Sequence, residues 1–253
     1  RQTLTMEKRF GLIGSTVSHS FSKAYFDEKF FQEGLRDYHY DLYPLPSVDA
    51  LPGLLKDVPE LVGLNVTIPY KEQVMKFLTT ISPDAKTIGA VNVIRIKGSE
   101  LMGYNTDSDA FLETMQKWFP NPAGSQALIL GTGGSAKPVQ VALQKMNIPF
   151  KRVSREQGHG DYVYAELGKK TKVFKAFNLI VNTTPLGMSP NTNASPPIDY
   201  ESLGAEHYVY DLIYNPARTL FLQKAEMHGC NIKNGLEMLH VQAEKSWKIW
   251  NRP

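Results

Sequence analysis

Residues 127–136 read ALILGTGGSA, and this stretch decides the fold class of the second half of the chain. Ala127–Leu130 is a short, continuously apolar run, which is typical of a strand covered on both faces. A helix pattern begins at Ala136, so Gly131, Gly133 and Ala136 satisfy the G-x-G-x-x-A spacing of a dinucleotide-binding turn. Glycines at these positions let the backbone approach a pyrophosphate, which the free N–H groups and positive dipole end of the helix stabilise. The flanking strand and helix favour this interpretation over a merely flexible glycine-rich turn.

The next strand of the same unit, residues 150–154, indicates which dinucleotide is bound. An NAD site has an acidic residue about 20 positions after the glycines, where it accepts from the ribose 2′-hydroxyl. Here the strand runs into Ser154 and Arg155, and a guanidinium can pair bidentately with a 2′-phosphate. Arg155 could instead be a solvated surface residue, and the neighbouring Glu156 works against phosphate binding. The pattern favours NADP over NAD.

Strand and helix signals alternate on both sides of this motif, which predicts an α/β protein built from two units. Residues 120–126, PNPAGSQ, break the helix that precedes the motif. Upstream we predict a mixed sheet with strands at 9–14, 37–45, 61–68, 90–97 and 100–104, and helices at 22–33, 47–58, 70–78 and 106–119. Downstream we predict strands at 127–130, 150–154, 178–183 and 208–213, and helices at 136–147, 219–228 and 236–250.

Composition excludes several classes of protein. The net charge is +3, and no basic run with interleaved aromatic residues occurs, so we expect no nucleic-acid partner. No apolar run reaches 18 residues, so we expect no membrane span, and Cys230 is the single cysteine, which fits the reducing cytoplasm. The histidines and Cys230 lack metal-ligand spacing, so we expect no metal.

Polar motifs follow the strand signals of the first unit. LNVTIPYK (64–71), AVNV (90–93) and GYNTD (103–107) together offer an ammonium at Lys71, an amide at Asn92 and a carboxylate at Asp107. A Lys–Asp pair can hold a proton donor beside a substrate oxygen, although each residue alone could be a solvated lysine, a turn asparagine or a helix cap. HSFS (19–22) places two serines beside a helix start, as a carboxylate clamp or a plain cap at Ser22.

Eight segments occur in the order seen in the shikimate dehydrogenase family, which the chain resembles from about Phe10 to its last helix: HSFS, GLNVTIPYK, GAVNV, GYNTD, LGTGGSA, NTTPLGM, YDLIYNP and GLEMLHVQA. The resemblance implies NADPH-dependent reduction of 3-dehydroshikimate to shikimate, in chorismate and aromatic amino acid biosynthesis. A quinate/shikimate dehydrogenase using NAD or NADP, and a non-catalytic NADP-sensing protein on the same fold, remain alternatives. The serine pair favours shikimate over quinate, and Lys71 with Asp107 argues against a sensor.

The resemblance also implies roles for individual residues. The catalytic pair falls on Lys71 and Asp107, and the other substrate contacts fall on Ser20, Ser22, Thr67, Asn92, Tyr214 and Gln242, with Asp107 also holding a ring hydroxyl. Cofactor contacts fall on Gly131, Thr132, Gly133, Gly134, Ser135, Ala136, Ser154, Arg155, Thr183, Leu212 and Gly235. The sequence departs from the family pattern at Lys23, where proline is usual, within Ser108-Asp109-Ala110, and at Ser154-Arg155-Glu156, where Asn-Arg-Thr is usual.

The implied architecture is a mixed-sheet α/β substrate domain and a Rossmann-like NADP-binding domain, with both ligands in the cleft between them. The substrate domain would comprise residues 1–106, completed by a C-terminal helix at 236–253, and the NADP domain would comprise residues 107–235. We expect a cytoplasmic monomer or homodimer whose partner is a small-molecule substrate.

Overall fold

A computed structural model describes residues 6–18 and 20–253, so residues 1–5 and His19 of the HSFS motif lie outside the described residues. The chain forms two compact units. The first unit contains the described residues up to Thr106 together with Ala243–Pro253, and the second contains Asp107–Gln242. This division assigns residues 236–242 to the second unit, whereas the expected bounds assigned them to the first.

The first unit contains six strands and four α-helices of its own within the described residues. Its strands are β1 (Lys8–Gly14), β2 (Tyr38–Pro44), β3 (Leu61–Val66), β4 (Thr80–Ile81), β5 (Val93–Lys97) and β6 (Glu100–Tyr104). Its helices are α1 (Phe21–Gln32), α2 (Leu51–Asp57), α3 (Tyr70–Gln73) and α4 (Pro83–Ile88), with 3₁₀ turns at Val48–Ala50 and Val74–Phe77.

The six strands form one mixed sheet in the order β2-β1-β3-β5-β6-β4. Strand β1 is parallel to β2 and β3, whereas β5 is antiparallel to β3 and β6. The carboxyl ends of β1, β3 and β6 therefore meet the start of β5 at one edge of the sheet. This edge is where the polar motifs of the sequence lie.

The C-terminal helix α8 (Leu236–Trp250) packs its last turns on this sheet. The indole of Trp250 is buried against Phe10 and Phe26, and its Nε1 donates to the Ile94 carbonyl at 3.0 Å. A Cβ at Gly63 would collide with this indole, so the glycine in β3 makes room for the tryptophan. These contacts fix the end of the chain in the first unit.

The second unit contains α5 (Asp107–Trp118), α6 (Ala136–Lys145), α7 (Leu220–Met227), the start of α8, and six strands. The strands are β7 (Ala127–Leu130), β8 (Phe150–Ser154), β9 (Tyr162–Val163), β10 (Leu179–Asn182), β11 (Tyr208–Asp211) and β12 (Asn231–Lys233). Three 3₁₀ turns lie at Tyr164–Leu167, Val173–Lys175 and Tyr200–Ser202.

All neighbouring strands of the second sheet are parallel, and their order is β12-β11-β10-β7-β8-β9. Numbered within the unit, this is the 6-5-4-1-2-3 arrangement of the doubly wound dinucleotide-binding fold. Apolar clusters cover the sheet on both faces, one around Phe174 and Phe221 and the other around Phe111 and Tyr210. The predicted fold class, a mixed-sheet α/β domain with a Rossmann-like domain, is confirmed.

Candidate functional site

Three of the predicted polar motifs meet at the edge of the first sheet. Asn92 lies just before β5 and is only 4% exposed. Its carbonyl accepts from the Val66 N–H at 2.9 Å, and its side chain makes two hydrogen bonds to Thr106, from Nδ2 to Oγ1 at 2.9 Å and from the Thr106 N–H to Oδ1 at 2.8 Å. Asp107 is the next residue in the chain and the first of α5. Asn92 therefore fixes the backbone immediately before the predicted catalytic carboxylate.

Lys71 is held at the same edge through its backbone. It is the second residue of α3, it is half-buried, and its carbonyl accepts from the Val91 N–H at 2.8 Å. Helix α3 is anchored by the buried Tyr70, whose hydroxyl donates to the Leu45 carbonyl at 2.6 Å. Thr67, directly after β3, donates its N–H to the Ile13 carbonyl at 2.9 Å. The structure thus brings Thr67, Lys71 and Asn92 to one edge of one sheet.

The serine pair lies at the start of α1, after β1. Ser20 is the N-cap, and its side chain accepts from the Lys23 N–H at 3.3 Å. The alternative interpretation of Ser22 as the cap was wrong, because Ser22 is the second residue of the helix and interacts through its side chain with the Tyr40 hydroxyl. The hydroxyl of Ser22 is therefore not used in capping.

Lys23 replaces the usual proline, but its charge is largely occupied within the first unit. Its Nζ lies 3.0 Å from Asp27 and donates to the Tyr40 carbonyl at 2.8 Å. These contacts draw the ammonium toward the edge strand β2. The departure from the family pattern therefore adds less positive charge beside the serines than the sequence suggests.

Sequence reasoning missed Asn65 as part of this region. Asn65 is buried in β3, where its Oδ1 accepts from the Tyr40 hydroxyl at 2.8 Å and its Nδ2 donates to Ser246 Oγ at 3.0 Å. Burial raises the pKa of Tyr40, so this phenol stays protonated and remains a donor to Asn65. An asparagine inside the otherwise apolar strand LVGLNV was the available signal.

In the second unit, the glycine-rich turn connects β7 to α6. Gly131 has a φ of +113°, and a Cβ there would lie 2.5 Å from Thr183 Oγ1, so only glycine fits. At Gly133 and Gly134 a Cβ would meet no atom within 4 Å, which leaves the face of the turn open. Ser135 makes no side-chain capping bond to the helix that begins at Ala136. The open turn and the available helix N–H groups fit a pyrophosphate.

The phosphate-reading loop follows β8. Ser154 is buried, and its Oγ accepts from the Glu156 N–H at 3.1 Å, which closes the turn. The Glu156 carboxylate lies 3.2 Å from Nδ1 of His159. Arg155 is exposed, and among residues 6–18 and 20–253 it has no ion-pair partner. Glu156 therefore does not occupy the guanidinium that the sequence assigns to the 2′-phosphate.

The remaining predicted cofactor residues, Thr183, Leu212 and Gly235, lie just beyond the carboxyl ends of β10, β11 and β12, respectively. Thr183 donates its Oγ1 to the Leu130 carbonyl at 2.7 Å, directly before Gly131. The Gly235 N–H donates to the Ile213 carbonyl at 3.1 Å, and a Cβ at Gly235 would collide with the Leu212 carbonyl oxygen. These bonds gather Gly131, Thr183, Leu212 and Gly235 around the ends of adjacent parallel strands, where ligands bind in such sheets.

Two predicted substrate residues, Tyr214 and Gln242, belong to the second unit. Tyr214 is 39% exposed in the loop after β11, and Gln242 is half-buried on α8. The serines and Lys71 belong to the first unit.

Neither a membrane-spanning helix nor a metal-binding group of side chains is found in the described part of the chain. No helix there is long and apolar enough to cross a membrane. Across the same residues, no group of three or more His, Cys, Asp or Glu side chains is arranged to hold a metal ion.

Comparisons with known proteins place relatives along nearly the whole chain. The family described as "Shikimate dehydrogenase substrate binding domain" matches residues 12–94. The shikimate dehydrogenase (NADP(+)) of Symbiobacterium thermophilum is 34% identical, covering 95% of this chain and 87% of its own length. The enzyme of the same name from Methanococcus maripaludis is 35% identical, with 97% and 92% covered.

Solved structures agree with these relatives. A shikimate dehydrogenase in complex with NADP+ has a TM-score of 0.84 at 30% identity, with 97% of this chain and 90% of that chain covered. Shikimate 5-dehydrogenase from Thermus thermophilus, in complex with NADP(H) and shikimate, has a TM-score of 0.81 at 31% identity, with 96% and 93% covered. The 5-ketofructose reductase of a Gluconobacter strain has a TM-score of 0.82 at 28% identity, with 97% and 93% covered.

Proposed function

Because the chain belongs to the shikimate dehydrogenase family, we propose that it reduces 3-dehydroshikimate to shikimate with NADPH, in chorismate and aromatic amino acid biosynthesis. The observation that carries the proposal is that relatives named for this NADP-dependent activity match 95% or more of the chain. The two kinds of local structure that the reaction needs are both present. One is a polar sheet edge with Lys71 and Asn92, and the other is an open glycine-rich turn at Gly131.

In this proposal Lys71 and Asp107 carry the acid–base step. Bound NADPH supplies a hydride to the ketone carbon, and the carbonyl oxygen then needs a proton to become a hydroxyl. The Lys71 ammonium donates that proton, and its fixed positive charge stabilises the alkoxide as it develops. Asp107 orients the ammonium and accepts from a ring hydroxyl. Support comes from the bonds that fix the Lys71 backbone to Val91 and the Asp107-flanking Thr106 to Asn92.

The substrate's carboxylate and hydroxyls are assigned to the other polar residues. Ser22, whose hydroxyl is not used for capping, and Ser20 bind the carboxylate. The ring hydroxyls are assigned to Thr67 and Asn92, and the closing contacts to Tyr214 and Gln242. These assignments follow the family pattern, and the shared sheet edge of Thr67, Lys71 and Asn92 supports them.

The cofactor is assigned to the carboxyl-end edge of the second sheet. Its pyrophosphate would be held by the turn formed by Gly131, Thr132, Gly133, Gly134, Ser135 and Ala136. Ser154 and Arg155 would hold its 2′-phosphate, and Thr183, Leu212 and Gly235 would contact its nicotinamide. The open face at Gly133 and Gly134 and the exposed, unpaired guanidinium of Arg155 within the described chain support this orientation.

We further propose that the enzyme acts in the cytoplasm as a monomer or homodimer and binds no nucleic acid. Light scattering on the purified protein would measure its mass against the 28.4 kDa of one chain.

The test of the proposed function is a set of parallel initial-rate measurements at the NADPH absorbance. Shikimate and quinate are each oxidised with NADP+ and with NAD+, and 5-ketofructose is offered with NADPH because one structural relative is a reductase of that sugar. We expect shikimate with NADP+ to give the highest kcat/KM. Faster quinate or 5-ketofructose turnover, or no turnover at all, would contradict the proposal.

A further inference from the structure

A buried carboxylate joins two loops of the second unit. Asp211, the last residue of β11, is fully buried, and its side chain accepts three hydrogen bonds. Its Oδ1 accepts from Asn182 Nδ2 and from the Ile213 N–H, each at 3.1 Å, and its Oδ2 accepts from Thr219 Oγ1 at 2.7 Å. Thr219 in turn caps α7 by accepting from the Leu222 N–H at 3.3 Å. Asp211 therefore ties the two ends of the 212–219 loop to each other and to the neighbouring strand.

Its partner Asn182 does the same for the loop after β10. Asn182 is the last residue of that strand and lies opposite Asp211 in the parallel register. Its Oδ1 accepts from the Thr184 N–H at 3.1 Å and from Thr184 Oγ1 at 2.7 Å. The Asn182 carbonyl also accepts from the Leu212 N–H at 3.1 Å. The two side chains together fix the first residues of both loops.

The residues between these fixed points are the ones assigned to the nicotinamide side of the cofactor. Thr183 lies between Asn182 and Thr184, and Leu212 lies between Asp211 and Ile213. A hydrogen bond spans each of them, from the N–H of the residue that follows to the buried side chain of the residue that precedes. Asp211 and Asn182 are buried, so they act on a ligand through these neighbours.

Burying a carboxylate at this point is energetically unfavourable for the fold. Burial raises the pKa of Asp211 to about 6, against the lowering effect of its hydrogen bonds to Thr219, Ile213 and Asn182. An apolar side chain would avoid this desolvation but could not accept from three separate segments. Because the Asp211 carboxylate lies where it can bond to all three segments, we infer that its role is to set the geometry of the two loops.

We propose that Asp211 and Asn182 are positioning residues of the cofactor site. Their hydrogen bonds hold Thr183 and Leu212 in the positions from which these residues orient the nicotinamide ring for hydride transfer. This inference rests on the proposed function, because it assumes that these loops face the nicotinamide. It adds a role for two residues that are fully buried.

The experiment compares Asp211→Ala with Asp211→Asn and with Tyr210→Phe. Asparagine keeps one oxygen for Asn182 and the Ile213 N–H, and its amide can donate to Thr219 Oγ1. Tyr210 is the matched control, because it is buried on the same strand but bonds to Thr114 Oγ1 at 2.7 Å, outside the two loops. All variants are assayed under conditions where circular dichroism and urea titration show them folded.

We expect kcat/KM for NADP+, at saturating shikimate, to fall at least about tenfold in Asp211→Ala. Asp211→Asn should recover most of this loss, and Tyr210→Phe should lose stability only. Adenosine 2′,5′-bisphosphate, which carries the 2′-phosphate but no nicotinamide, should bind Asp211→Ala within about twofold of its wild-type affinity. Equal losses of this probe and of kcat/KM would overturn the proposal, as would unchanged kinetics.

Two further measurements distinguish failure of this proposal from a variant that does not fold and from failure of the proposed function. If Asp211→Ala does not fold, Thr219→Val against Thr219→Ser decides, since serine keeps the hydroxyl and valine removes it; equal kcat/KM values would overturn the proposal. If the wild type binds NADPH but oxidises no shikimate, the proposed function fails. The inference is then judged by NADPH affinity, measured by nucleotide fluorescence, which Asp211→Ala should weaken and Asp211→Asn should preserve.

Discussion

Replacing Arg155 by alanine should convert an NADP-preferring enzyme into one that discriminates weakly between NADP and NAD. The guanidinium follows β8 directly, it is exposed, and the Glu156 carboxylate beside it lies 3.2 Å from Nδ1 of His159. Arg155 is therefore available to make two charge-assisted hydrogen bonds to a 2′-phosphate. NAD carries a hydroxyl at this position, so the same substitution removes nothing that NAD uses.

The exposure of Arg155 limits the size of the effect. A hydrogen bond to a charged group contributes about 1.5–3 kcal/mol when it is sheltered, whereas exposed ion pairs contribute about 0–1 kcal/mol. We expect the two parallel bonds to contribute between these two limits, about 1.4–2.7 kcal/mol in total. In catalytic efficiency this corresponds to about a tenfold to hundredfold preference for NADP.

The assay is kcat/KM for shikimate oxidation with each nucleotide, in wild type, Arg155→Ala and Lys151→Ala. Lys151 is an exposed cation on the same strand, so its variant controls for the loss of one positive charge. Arg155→Ala should lose efficiency with NADP+ and keep it with NAD+, while Lys151→Ala should change neither by more than about twofold. Equal losses with both nucleotides would mean that Arg155 supports the fold. A wild type that prefers NAD would refute the reading of the loop.

Three other outcomes are expected. Lys71→Ala should lower kcat at least about a hundredfold with little change in shikimate affinity, because a positioned proton donor is lost; near-normal turnover by the folded variant would remove Lys71 from the mechanism. Ser22→Ala should weaken shikimate binding by about 1–2 kcal/mol, seen as a raised KM, because one hydrogen bond to a carboxylate is lost; an unmoved KM would leave Ser22 a purely structural residue. The contribution of Asp211 to the unfolding free energy should fall as pH rises from about 4 to 7, because Asp211 keeps its proton in the native state up to a pKa of about 6 but releases it near 3.8 when unfolded. The loss attributable to Asp211 is up to about 3 kcal/mol and should be absent in Asp211→Asn, as urea titrations of both proteins at each pH would measure.

Where strong local signals bound an element, the sequence predicted it to the residue. The predicted bounds of β6, β7, β8 and α8 are those of the structure. Gly131 directly follows β7 and Pro149 directly precedes β8, β7 consists of apolar residues only, and α8 carries an uninterrupted amphipathic pattern. In such segments the hydrophobic pattern and the neighbouring glycine or proline indicate the same bounds, so tertiary contacts do not shift the ends of the element.

The missed elements are short or changed by their surroundings. The helix predicted at 70–78 ends as an α-helix at Gln73 and continues as the 3₁₀ turn Val74–Phe77. Strands β4, β9 and β12 have two or three residues, too few for any periodicity to appear. Helix α4 was missed despite a readable signal, since Ser82 caps it through the Ala85 N–H at 3.3 Å and Gly89 ends it in a left-handed conformation.

The residues of the candidate site also fall into those that the sequence located and those that it did not. The motifs at strand ends could be located because parallel strands present their carboxyl ends at one edge. The buried polar residues behind them could be noticed only as polar side chains within apolar strands, and their roles could not be predicted because their partners are distant in the sequence. Asn65 bonds to Ser246, 181 residues away, and Asp211 bonds to Asn182, 29 residues away. Such pairs depend on strand order and on the return of α8, which no local pattern specifies.

At three places in the chain, a residue assigned to the chemistry directly follows a buried polar residue. Asp107 follows Thr106, Thr183 follows Asn182, and Leu212 follows Asp211. Each buried member is bonded to a neighbouring strand end or loop, to Asn92 in the first unit and within the Asn182–Asp211 pair in the second. A side chain at the end of a strand would otherwise move with its loop, and catalysis loses efficiency steeply when groups are misplaced by about 1 Å. Substitutions of these buried residues should therefore change the kinetics of the folded enzyme as well as its stability, and a loss of stability alone would show that the strand ends are rigid without them.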